Sequence, residues 1–162
     1  MYRMTSRWGF PGLVTIITAA GSLMGFLWWV LSPVVPGLYV SVTVFPRETQ
    51  PAGYIATDAY YAIGAAFTGL LVAVLVRRRW TGPPALAVVG LALGGIAGSS
   101  LAVLVGYAFS APQFPDIPVG SNAAVPLTLG APGWLLVWPI VSVGLWFVLD
   151  LFTARSEQQA PV

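Results

Sequence analysis

Pro84 to Tyr107 reads PALAVVGLALGGIAGSSLAVLVGY, without one charged residue. At 1.5 Å per residue these 24 residues form a helix of about 36 Å, long enough to cross a bilayer with some tilt. Gly90, Gly94, Gly98, Ala102 and Gly106 recur every fourth position. That spacing lays them along one helix face as a shallow groove into which another backbone can press closely. The groove takes either a partner or another helix of the same chain.

The flanks extend the pattern. Upstream, Thr81-Gly82-Pro83 makes a tight turn, preceded by Arg77-Arg78-Arg79-Trp80 and an apolar run from Ala59 to Val76. The arginines and the tryptophan are a stop signal at a membrane interface. Thr57-Asp58 stands before the run, and Asp58 is expected to cap the helix by accepting from its free N–H groups. So short a turn places this helix antiparallel beside the third. Further upstream, Phe10 to Leu31 is a run longer than a signal-peptide core, followed by Ser32-Pro33-Val34-Val35-Pro36 rather than a cleavage site. It reads as a retained first span, with a short GxxxG at Gly21 and Gly25. Downstream, Gly133 to Phe152 is a fourth span with Trp134 and Trp138 at its entry. Pro139 should kink it or mark its first turn, and Asp150 is expected near Arg155. The fold class is an all-α membrane protein, a four-helix transmembrane bundle over 10–31, 59–76, 84–107 and 133–152.

Two connections are long and proline-rich, 32–58 and 108–132, whereas 77–83 is short. Leu38 to Phe45 alternates β-branched and polar residues and predicts a strand. Ala124 to Leu129 predicts a short strand held to an edge by Pro126. Because both connections lie on one side of the bundle, the two are expected to pair as a small β element. The tail, 153–162, is polar and short.

Six of the seven arginines, Arg3, Arg7, Arg77, Arg78, Arg79 and Arg155, fall on one side of the four spans, and Arg47 alone on the other. The chain has no lysine. By the positive-inside rule both termini and the short turn are expected in the cytoplasm.

The composition excludes much chemistry. With 57% hydrophobic and 7% charged residues, against roughly a quarter charged in soluble domains, the lipid bilayer is the expected surrounding. There is no cysteine and no histidine, hence no disulfide, thiolate or imidazole ligand, and a serine has no histidine base. No phosphate-cradling glycine loop is present, the net charge of +2 suggests no nucleic-acid partner, and no cofactor is expected. None of the acids Glu48, Asp58, Asp116 and Asp150 sits mid-span, where transporters place ionisable groups. Asp58 and Asp150 remain the candidate ionisable positions. Glu48, Asp58 and Asp116 together form a weak candidate for a calcium site. Thr15, Thr18, Ser99 and Ser100 are expected to pack and to bond helix carbonyls.

The Asp58-Ala59 entry, the arginine cluster after helix two, the Gly94-Gly95 pair, and Pro126 to Gly133 leading into Leu136-Val137-Trp138-Pro139 together resemble a family of small four-span membrane proteins of high-GC actinobacteria. The resemblance spans most of the chain. It implies a plasma-membrane location and carries over no catalytic residue. The leading expectation is a non-enzymatic accessory or structural subunit that packs through the small-residue face Gly90, Gly94, Gly98, Ala102 and Gly106, its partners being other membrane subunits or copies of itself. A homo-oligomeric transporter or channel protomer is the alternative. A binder of lipid or envelope precursor using Trp28, Trp29, Trp134 and Trp138 is the third reading. Topology reporters fused at Arg47 and at Arg155 should read out on opposite faces, with Arg155 cytoplasmic; a cytoplasmic signal at Arg47 refutes the orientation.

Overall fold

The computed structural model describes residues 9–40, 43–47, 52–111 and 118–158, with backbone alone for 154–158. In chain order the elements are α1 (Phe10–Leu31), β1 (Pro36–Val40), β2 (Thr43–Pro46), α2 (Ala52–Arg79), α3 (Pro84–Ser110), β3 (Asn122–Ala124), a 3₁₀ turn (Pro132–Leu136) and α4 (Val137–Gln158). Four helical segments are long and apolar enough to cross a membrane. Their exposed sides carry Leu23, Ile63, Phe67, Leu104, Ile140 and Phe152. So much apolar surface on every helix suits lipid better than water.

Local chemistry sets the helix ends. α1 has Pro11 in its first turn and stops at Ser32, because the residue before Pro33 is driven out of the helical region. At the far end of α2 the Trp80 indole donates to the Pro83 carbonyl at 3.1 Å. α3 then opens on Pro84, whose missing N–H would have had no acceptor there. Pro139 falls in the first turn of α4, where the same argument removes the need for a kink.

α1 and α3 share the most extensive interface in the molecule. A methyl group at Gly21 would strike the backbone of Gly98, and one at Gly25 the backbone of Ala102. On either side of these contacts, Leu13 fills the space over Gly90, Ile17 that over Gly94, and the Trp28 ring that over Gly106. The small-residue face of α3 is therefore occupied by α1 in constant register along its whole length. Of the two occupants expected for that face, a partner or a helix of the same chain, the face holds the helix: among the described residues no groove remains there.

The neighbour of α3 is also corrected. α2 and α3 are joined by the short turn and run antiparallel, but they touch little; α2 packs on α4, and α4 on α3. Two faces of α3 explain this. Gly94 faces Ile17 of α1 while the adjacent Gly95 faces Pro139 of α4, leaving α2 on the diagonal. Trp138, fully buried, bridges the gap: its ring lies against Gly98 of α3 and Gly69 of α2. Tyr61 of α2 reaches across to donate to the Ser99 carbonyl at 3.0 Å.

At the end of the bundle opposite Arg77–Arg79, the strands form an antiparallel sheet in the order β2-β1-β3. The two long connections do pair. The run from Leu38 to Phe45 is not one strand, however, since Val40 pairs with Thr43 and the chain folds back on itself. Tyr39 and Val44 consequently share the buried face. In the second connection the strand begins two residues earlier than predicted and ends at Ala124, so Pro126 lies outside it. The turn before β3 needs Gly120, at φ +88°, whose N–H donates to the Tyr39 carbonyl at 2.9 Å.

Gly25→Val should destabilise the protein by about 3 kcal/mol or more, the upper range for overpacking, since the obstruction is backbone. Gly144→Ala, with nothing within 4 Å of the added carbon, should be neutral or stabilising by up to about 1 kcal/mol. Reversible unfolding in bicelles measures both.

Candidate functional site

The polar groups of the molecule gather where Val125 to Ala131 descends beside the first turns of α2 to reach α4. This stretch lacks regular structure, so its backbone groups need partners from elsewhere. Three side chains supply them. Ser110 Oγ accepts from the Leu127 N–H at 3.1 Å, Tyr107 Oη from the Leu129 N–H at 3.0 Å, and Asp58 Oδ1 from the Gly130 N–H at 2.9 Å. Above them the Val125 N–H donates to the Val35 carbonyl at 2.9 Å, tying the stretch to the sheet. Ser110 and Tyr107 stand one turn apart on α3, so they reach alternate residues of an extended chain. Leu127 and Leu129 meanwhile pack on the bundle core.

Asp58 is thus a clasp and not a helix cap. α2 begins at Ala52, with the Thr57 hydroxyl bonded back to the Gly53 carbonyl at 2.8 Å, so Asp58 lies inside the second turn with no free helix N–H to accept. Gly53 matters for a different reason: a methyl group there would sit 2.7 Å from Val35, where the sheet presses on α2.

Asp150 lies at the other end. Arg77 pairs with it at 3.3 Å; the expected neighbour, Arg155, has its side chain outside the described residues. The Arg77 guanidinium also donates to Thr153 and lies 5.2 Å over the Trp146 ring. With the Asp150 side chain half exposed, this surface pair contributes little to stability.

Between these ends the interior holds Thr57, Ser99 and Ser142 as its buried polar side chains. The Trp28 indole donates to the Thr57 carbonyl at 3.0 Å and meets Tyr61 edge-on, with ring centroids 5.1 Å apart. Ser99 Oγ and Trp138 Nε1 find no partner among the described residues. Thr15 and Ser100 bond back to carbonyls one turn earlier, as expected of hydroxyls in apolar helices. Of the four tryptophans predicted to line a lipid interface, Trp28 and Trp138 are instead core residues, and only Trp29 and Trp134 are exposed.

Chemically the arrangement holds a chain in place. Among the described residues no three acids gather to bind a metal ion; Glu48 and Asp116 of the suggested calcium group lie outside those residues. An apolar cleft of about 410 Å³ opens between α1 and α2, walled by Met24, Leu27, Trp28, Tyr60, Ile63 and Phe67. Comparison with protein-family models, with curated proteins and with solved structures finds no match to this chain.

Asp58→Asn keeps an acceptor oxygen and should leave stability within about 0.5 kcal/mol, whereas Asp58→Ala, which releases an exposed N–H to water, should cost about 0.5–1.5 kcal/mol. Hydrogen exchange should then quicken at Leu129 and Gly130. Equal behaviour of the two variants would contradict the clasp.

Proposed function

We propose that this chain is a non-enzymatic, multi-pass plasma-membrane protein serving as an accessory or structural subunit of a larger membrane assembly. The observation that carries the reading is the clasp. Ser110, Tyr107 and Asp58 fix an irregular segment, and with it the sheet, to the helices at three successive points. Holding a cap this firmly on a packed bundle is what a docking platform requires, because a preorganised surface loses less entropy on binding. The interior supports the same reading: the described core residues are apolar, aromatic or hydroxyl-bearing, with no ionisable carboxylate or guanidinium to line a pathway.

Because the stripe on α3 is already covered by α1, the partner surface in this reading lies elsewhere. The sheet with its clasped segment supplies the polar part. The outer face of α4, the least covered of the four spans, supplies the part within the membrane through Ile140, Phe147 and Leu151. The distribution of arginines supports placing the sheet outside the cytoplasm and the Arg77–Arg79 turn within it.

The test is purification of tagged protein from its native membrane in a mild detergent. A stoichiometric membrane partner is expected, retained by Asp58→Asn and lost or weakened several-fold by Asp58→Ala while the bundle still melts cooperatively. A lone monomer, equally monodisperse in all three forms, contradicts the proposal.

A further inference from the structure

Two clefts adjoin at the end of the bundle that carries the sheet. One, of about 290 Å³, is formed by the strand backbone together with Arg47 and Asn122. The other, of about 170 Å³, lies between the ends of α1 and α3 and is walled by Trp29, Ser32 and Phe109. Val34 and Ala124 line both, so the two clefts share a wall. A molecule laid across that wall meets a cation at one end and aromatic rings at the other.

The cation stands apart from the rest. Among the described residues Arg77, Arg78 and Arg79 lie at the opposite end, and Arg47 is the basic group near the sheet. Its guanidinium donates to Asn122 Oδ1, which aims the group. An arginine carries five N–H donors in a planar fork that matches two oxygens of a phosphate, so one bond to Asn122 leaves capacity for an anion. In the neighbouring cleft Ser32 Oγ has no partner among the described residues, although water does not reach it. Beyond it Phe26, Trp29 and Phe109 meet in tilted and edge-on contacts with centroids 5.3–5.7 Å apart, all three exposed. This aromatic strip passes into the apolar outer face of α1 at Leu23 and Val30.

We infer that this surface binds an anionic phospholipid. The phosphate sits on Arg47, the ester region crosses the shared wall at Val34 and Ala124, and an acyl chain follows Phe26 and Phe109 along α1. Charge complementarity selects the occupant. A zwitterionic lipid also offers a phosphate, but its choline ammonium is repelled by the guanidinium, so a lipid of net negative charge is favoured; a free anion has no use for the aromatic strip. Aromatic rings at headgroup depth are the usual companions of such a contact. The larger α1–α2 cleft carries no charge and offers no comparable choice.

Native mass spectrometry of the detergent-purified chain tests this with phosphatidylglycerol, phosphatidylcholine and inorganic phosphate as probes. The expected result is one phosphatidylglycerol held about tenfold more tightly than phosphatidylcholine, a difference of about 1.4 kcal/mol. Millimolar phosphate should not displace it. Arg47→Ala and Arg47→Gln should each abolish the preference, and Phe109→Ala should weaken both lipids alike. Equal retention of the two lipids, a preference that survives both Arg47 variants, or displacement by phosphate would each overturn the inference. No partner subunit enters the measurement, so its failure leaves the subunit reading standing, and the converse holds.

Discussion

Everything else in the molecule depends on the contact of one backbone with another between α1 and α3. Gly21 lies against the backbone of Gly98, and Gly25 against the backbone of Ala102. In a lipid surrounding the hydrophobic effect does not draw helices together, so association rests on close packing and on the dispersion contacts it provides. A seam of this kind supplies many such contacts, and it tolerates no added carbon at its centre. Leu13, Ile17 and Trp28 then fill the space over the remaining glycines and hold the register along both helices.

The seam determines the positions of the other helices. Once α1 occupies the small face of α3, helix α2 cannot lie there, despite the short turn that joins it to α3. It moves to the diagonal and packs on α4 instead. The centre that this arrangement opens is filled by Trp138 against Gly69 and Gly98, and by Tyr61 reaching the Ser99 carbonyl. Helix α4 begins beside Gly95 after a chain that descends in irregular form, and that chain must have its N–H groups satisfied. The clasp of Ser110, Tyr107 and Asp58 is therefore a consequence of the seam as well as the feature that fixes the cap.

Much of the fold was legible. Four apolar runs, three arginines after the second and prolines in the connections give four long helices, because length and charge alone decide which segments suit a bilayer. The stripe on α3 was legible as a packing face, and Gly21 and Gly25 were visible as a small pair on α1. What periodicity does not carry is that the two small faces meet, because every glycine repeat looks alike until the helices are placed. For the same reason a short turn between α2 and α3 reads as adjacency. Asp58 was misread because an aspartate ahead of an apolar run has the local pattern of a cap, while its actual partner, Gly130, is remote in sequence. The hairpin at Val40 and Thr43 was missed because alternation with period two is unchanged when a strand reverses.

In the proposed subunit role, the chain would divide its tasks by depth. The seam makes a closed bundle, the clasp fixes a polar cap, and the outer faces remain for lipid and partner. The absence of native cysteine makes the seam directly measurable. A carbon at Gly94 would lie 2.9 Å from the Ile17 Cβ, and a disulfide asks for about 3.8 Å, which a small opening provides. Ile17→Cys with Gly94→Cys should oxidise readily to an intramolecular disulfide in native membranes. Leu70→Cys with Leu93→Cys, which an up-and-down order of neighbours would bring together, should not. Efficient linkage of the second pair with none in the first would show that α2, and not α1, is the neighbour of α3.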